Sequence, residues 1–298
     1  MPAIIRQNAI FAGMKLITEI PLRRSKVRLT QADSIITLGS CFSDNMAGHL
    51  RDGGFNILAN PFGTLYNPES IASAVDRLDS GEAFSEADCV HMGAGSDLVC
   101  SFAHHTSFAR RTAAGFLENA NRLLRESAAY WKSCDRVIIS YGTARVWKHG
   151  GQTVSNCLKR PAGEFTRELL TLGRIGEISR DIVLRHPDKQ FIFTVSPIRY
   201  LSDGAEANTV SKSLLHLGLQ EALKSPEADY FPAWELMMDE LRDYRFYAAD
   251  LVHPRDIAVD YLWEKFLLFC VPEEEHEAVR AAEKAARRTR HRPINHTD

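Results

Sequence analysis

Short apolar runs rich in β-branched residues alternate along the chain with longer stretches whose apolar positions recur every three or four residues. The first pattern is that of buried strands and the second that of amphipathic helices. Strands are expected at 35–39, 55–58, 135–141, 190–195 and 229–231, and helices at 43–51, 67–78, 113–132, 164–185, 208–224, 232–241 and 256–269. Gly53-Gly54 stops the first helix, Pro68 suits the first turn of the second, and Asp256 is placed to cap the last. Strands exchanged with helices in this way predict a parallel sheet covered on both faces, a three-layer α/β/α sandwich. Two short runs at 89–92 and 98–102, separated by Gly93-Ala94-Gly95-Ser96, fall outside the rhythm and read as an inserted β-hairpin. Residues 147–151 read as a turn, and 153–157 as a short extended piece.

Composition narrows the class. The 298 residues show no repeat and no low-complexity linker, so one α/β domain over 15–271 is expected. It is preceded by an extension, residues 1–14, with Met14 an alternative start, and opens on an extended arm over 15–29. A charged tail, 272–298, follows as a frayed helix or disordered end, and its short run Arg287-Arg288-Thr289-Arg290-His291-Arg292 reads as solvated. A net charge of −2 offers no electrostatic case for nucleic acid. No apolar run approaches the roughly 18–20 residues of a membrane span, and no secretory cleavage site is evident. The six cysteines, 41, 89, 100, 134, 157 and 270, form no CxxC pair, so neither a disulfide framework nor a zinc site is indicated. Reduced thiols in a cytoplasm fit this usage, no cofactor is expected, and composition leaves the oligomeric state open.

Two segments carry candidate chemistry. The first strand ends at Gly39 and delivers Ser40 and Cys41 to the start of a helix, whose N–H groups and dipole are expected to favour a thiolate. After the second strand, Asn60-Pro61-Phe62-Gly63 forms a loop in which the Gly63 N–H is a candidate oxyanion donor beside that turn. Far along the chain, Asp250 precedes His253 by three residues just ahead of the last core helix, a pairing suited to a general base and the group that orients it. A metal site drawing on His104, His105, His253 and Asp250 is disfavoured, because adjacent histidines on a hairpin strand point to opposite faces.

The stretch Gly39-Ser40-Cys41-Phe42-Ser43 resembles the signature of the GSCFA family, with Ser43 where the family name has alanine. The likeness continues through 60–63, 66–68, 196–197, 237–247 and 250–254, and covers roughly 15–269. That family is similar in turn to SGNH (GDSL-type) hydrolases, which implies a flavodoxin-like sheet and an esterase, lipase or carbohydrate acyl hydrolase or transferase activity. By position the resemblance makes Cys41 the nucleophile, puts Ser40 on the first-block Asp and makes it the fallback nucleophile. It makes Gly63 the oxyanion glycine, with Asn60 ahead of it, and Asp250 and His253 the closing pair. Its third block falls on Gly142-Thr143-Ala144-Arg145 and lacks the oxyanion asparagine, so Asn156, His104 or Arg145 would have to replace it. The implied reaction is ester hydrolysis or O-acyl transfer on a small-molecule or carbohydrate ester. The alternative is a non-catalytic carbohydrate- or partner-binding domain, favoured by the lost asparagine and the lost first-block Asp.

Overall fold

The computed structural model describes residues 17–290; the expected extension over 1–14 and the chain beyond 290 lie outside the described residues. In chain order the elements are β1 (Ser34–Gly39), α1 (Cys41–Asp52), β2 (Asn56–Ala59), α2 (Pro68–Ser80), β3 (Val90–His91), β4 (Val99–Cys100), α3 (Ala113–Ser133) and β5 (Arg136–Tyr141). They continue as β6 (Arg145–His149), β7 (Gln152–Val154), β8 (Phe165–Leu169), α4 (Leu172–Arg185), β9 (Gln190–Val195), α5 (Ala205–Ala222), β10 (Ala228–Tyr230), α6 (Ala233–Glu235), α7 (Asp256–Cys270) and α8 (His276–Arg290).

Five strands form one parallel sheet in the order β10-β9-β5-β1-β2. Successive residues face opposite sides, so each strand feeds two cores. Ile36 and Leu38, Val137 and Ile139, and Phe191 and Phe193 join one cluster with residues of α2 to α5. Ile35, Ile138 and Ile192 join the other with α1, α7 and Val279 of α8. Fully burying one such side chain stabilises by about 1.5–3 kcal/mol, so both faces contribute to the fold. In register, Gly39 lies opposite Ser140, and Ser140 opposite Thr194, which aligns the carboxyl ends of β1, β5 and β9. Sequence order reverses between β1 and β5, and open α/β sheets bind ligands outside the carboxyl ends of the strands at such a switch point.

Several expectations need correction. Residues 164–185 are not one helix: 165–169 alternate in burial and pair with β6, and Thr171 then caps α4 by accepting from Arg174 N–H. The expected turn at 147–151 is mostly strand, because Gly150 and Gly151, at φ of 56° and 82°, make the reversal between β6 and β7. Arg255, not Asp256, stands at the cap position of α7 and makes no side-chain capping bond. The segment expected to fray after Val271 forms α8 through Arg290, where Val279 is buried and Trp263 Nε1–H donates to Glu283 Oε1 at 2.6 Å. The two-residue antiparallel pair β3–β4 spans the 89–102 region, but His104 and His105 follow it in turns rather than on a strand.

Candidate functional site

Ser40 and Cys41 stand where β1 becomes α1. Gly39 makes the turn possible: its φ is +150°, and a Cβ there would lie 2.4 Å from the Ser140 carbonyl oxygen. Ser40 takes the N-cap position, but its hydroxyl meets Ser140 Oγ at 3.2 Å instead of capping the helix. The Cys41 and Phe42 N–H groups therefore act on the Cys41 thiol. They do not produce the expected net drop in thiol pKa. Burial pushes it up, Asp44 adds to that, and the two N–H groups with Lys212 only partly offset it.

A pocket of about 320 Å³ opens above this turn and is shared by Ser40, Cys41, Tyr66, Gly142, Ser196 and His253 among others. His253 reaches it from the loop before α7. Asp250 builds that loop: Oδ1 accepts from the N–H groups of Val252 (2.9 Å) and His253 (3.0 Å), and Oδ2 pairs with His253 Nδ1 at 2.6 Å. Those two N–H donors and the ring hold the Asp250 carboxyl down at about 2. In the neutral tautomer that donates Nδ1–H to this carboxylate, Nε2 is left as an acceptor, and it has no hydrogen-bond partner among the described residues.

The remaining expected residues divide. Gly142 lines the pocket, though its N–H donates to the Tyr66 carbonyl at 2.8 Å. Asn60 ties the turn together: Oδ1 accepts from Gly39 N–H at 2.9 Å, and Nδ2–H donates to Asp44 Oδ1 at 2.6 Å. Gly63 N–H donates to the Asn60 carbonyl at 2.7 Å, and a Cβ at Gly63, whose φ is +80°, would lie 2.3 Å from His105 Cβ. Packing against His105 thus explains this glycine without an oxyanion role. Asn156 Oδ1 accepts from Leu158 N–H at 2.8 Å in the chain between β7 and β8. Arg145 and Arg167 converge on Asp203. His104 is a core histidine, buried among Phe62, Phe84, Phe108 and Phe116, with Nδ1 on Ser101 Oγ at 2.7 Å and its pKa lowered by burial to about 4. No group of three or more His, Cys, Asp or Glu side chains among the described residues is arranged to hold a metal ion.

Tyr66 and Ser196 lay within the segments of family likeness but had no role assigned to them, and Arg199, Tyr200 and, behind the wall, Lys212 were not singled out from the sequence. Lys212 did leave a signal: it shares a helical face with Asn208, Leu215 and Leu219, so the spacing alone places a lysine on a core stripe.

An open parallel α/β protein with a pocket at its strand ends is the class that this fold and site define. The GSCFA family model matches residues 34–266, from β1 into α7, and the chain belongs to that family. No curated protein matches the chain.

Proposed function

We propose that this chain is an SGNH-like esterase or O-acyltransferase on a flavodoxin-like sheet with an inserted hairpin, and that Cys41 is its nucleophile. One observation carries the reading: Cys41 and His253 line the same pocket, and Asp250 occupies the far nitrogen of the histidine. The raised thiol pKa means that a base must take the proton as the sulfur attacks. His253 Nε2 accepts it while a thioester forms and the alkoxide leaves. The imidazolium gives its proton to that alkoxide as it departs, so that it leaves as the alcohol. Water or an acceptor hydroxyl, deprotonated by His253, cleaves the thioester and frees the thiol. The N–H groups of Cys41 and Phe42 are the donors for the oxyanion in this reading. A carbohydrate ester is the preferred substrate, with Tyr66 and Tyr200, edge to face at 6.2 Å, as the aromatic wall.

The second reading, a carbohydrate- or partner-binding domain, draws on the engaged N–H groups of Gly63 and Gly142. Turnover of p-nitrophenyl acetate and of a peracetylated sugar separates the two. The esterase reading expects an acetyl group on the Cys41 peptide by mass spectrometry, and a fall of about 10³-fold or more in kcat/KM for Cys41→Ala and for His253→Ala. Equal rates in parent and variants, with Cys41 never acylated, would put the binding domain first.

A further inference from the structure

The buried face of α5 holds the pocket walls. Asn208 Oδ1 accepts from Tyr200 N–H at 2.8 Å, Ser211 Oγ accepts from Ala144 N–H at 2.7 Å, and Lys212 Nζ donates to the Ser196 carbonyl at 2.7 Å. Two of these holders are neutral, and the third brings a charge. Lys212 is 2% exposed, lies 4.8 Å from the centre of the Trp234 ring, and forms no salt bridge among the described residues. Holding one carbonyl does not require an ammonium; a neutral donor would do so without the cost of burying a charge that has no carboxylate.

Its electrostatic surroundings suggest what the charge is for. Burial lowers Lys212 to about 7 and Cys41 opposes the shift, while Lys212 in turn pulls the Cys41 thiol down. On its own helix it faces His216, which burial and the Lys212 charge lower to about 4. Beyond His216 stand Tyr230 and Glu235, with Tyr230 Oη 3.3 Å from His216 Nδ1 and 2.9 Å from Glu235 Oε2. From α6 comes the Trp234 ring, and from the end of β9 the Ser196 carbonyl. Ser196, whose carbonyl holds the ammonium at 2.7 Å, lines the same pocket as Cys41, so the charge stands directly behind a wall that the thiol faces.

We infer that Lys212 is a positioning residue that supplies the site's buried positive charge, fixed by Ser196 and Trp234 so that the ammonium favours the thiolate form of Cys41. This rests on the reading of Cys41 as the nucleophile. The support lasts only while the amine is charged, so it is strongest on the acid side and fades as Lys212 loses its proton.

The test is the rate of Cys41 alkylation by iodoacetamide from pH 5.5 to 9.5, with the other thiols followed separately by peptide mapping. Lys212→Gln keeps a donor for Ser196 and removes the charge. The expected ratio of parent to Lys212→Gln is about tenfold near pH 6, falling toward one above pH 9. A ratio that does not change with pH would mean that the lysine only holds the wall, and would overturn the inference. The parent alone gives a second readout that needs no Lys212 variant. Its logarithmic rate should climb with less than unit slope around neutrality as the support is withdrawn, and an unbroken unit slope overturns the inference as well. Both series are repeated in His253→Ala, where no imidazole titrates at that position. A pH-dependent ratio there, with labelling otherwise unaffected by the loss of His253, upholds the Lys212 inference and removes the Asp–His pair from the reading. A pH-independent ratio with slowed labelling does the reverse.

Discussion

The two ends of the parallel sheet hold the same kinds of residue and treat them in opposite ways. Before β5 and β9, at the amino end, lie Cys134, His186 and Lys189, with Asp79 of α2 beside them. Asp79 Oδ1 accepts from Trp131 Nε1–H at 2.7 Å and lies 2.9 Å from His186 Nε2, while His186 Nδ1 faces the Ile182 carbonyl at 2.6 Å. Lys189 Nζ donates to the Cys134 carbonyl at 2.9 Å and to Asp188 Oδ2 at 3.2 Å. At the carboxyl end, among the described residues, Lys212 has a carbonyl and no carboxylate, His253 Nε2 has no partner, and Cys41 lines a pocket. Closed pairs hold a fold, whereas unclosed ones at strand ends leave a proton acceptor, a thiol and a cation available for chemistry.

The largest effect on stability is expected where the pairing is most complete. Asp79→Ala strips the acceptor from the buried Trp131 Nε1 and His186 Nε2, although the carboxylate itself is about a third exposed, and should lower stability by about 2–3 kcal/mol, read as a fall in the urea midpoint. Cys41 alkylation, at the other end of the sheet, should be unaffected. A midpoint shift no larger than that of an ordinary surface substitution would dissolve the contrast between the two ends.

The two buried lysines sharpen it, because equivalent substitutions should move stability in opposite directions. Lys189→Met removes bonds to Cys134 and Asp188 and should destabilise by about 1–2 kcal/mol. Lys212→Met should stabilise near pH 6. The folded value of about 7 lies below the roughly 10.4 of an unfolded lysine, so between them the unfolded chain binds more protons and parent stability rises with pH. Below 7 the full deficit is present. The gain from Lys212→Met should therefore be about 2 kcal/mol at pH 6, after allowing for the lost bond to Ser196, and should shrink steadily toward pH 10. Urea titrations at three pH values measure it, and a gain that ignores pH would deny that Lys212 is buried as a charge.

What the sequence could reveal follows the same division. The parallel core was legible because Ile35 to Gly39, Val137 to Tyr141 and Gln190 to Val195 are apolar on both faces, and the helices between them carry a 3.6-residue stripe. The β6–β8 sheet was hidden, since Phe165 to Leu169 runs directly into a helical stripe and its alternation spans only five residues. Asn60 and Gly63 sat in a recognisable loop, but their hydrogen bonds to Gly39 and Asp44 and the contact with His105 are tertiary facts with no local signature. His253 was marked in the sequence by Asp250 three residues before it, whereas His104 carried no such mark. What makes His104 a core residue is its four phenylalanines, and Phe62, Phe84 and Phe116 reach it from other segments of the chain.

The smallest expected change in stability is also the sharpest probe of the carboxyl end. Asp250 is half exposed, and its carboxyl, held near 2 by the N–H groups of its own loop, is ionised throughout the working range. As an acid with a depressed pKa, it contributes stability that is present above the ordinary value near 4 and lost only as pH falls through about 2, so no slope appears near neutrality. Asp250→Asn keeps an oxygen to accept from Val252 and His253, and because the site is half exposed to water the lost carboxylate should lower the urea midpoint only slightly. The amide nitrogen then faces His253 Nδ1 as a donor, which moves the ring proton to Nε2 and removes the acceptor from the pocket. Under the proposed mechanism kcat/KM for an ester should fall by about 10²–10⁴, far more than the small loss of stability accounts for. If the rate survives, His253 takes no proton from Cys41, and the Asp–His pair is as purely structural as the Asp79–His186 pair at the opposite end of the sheet.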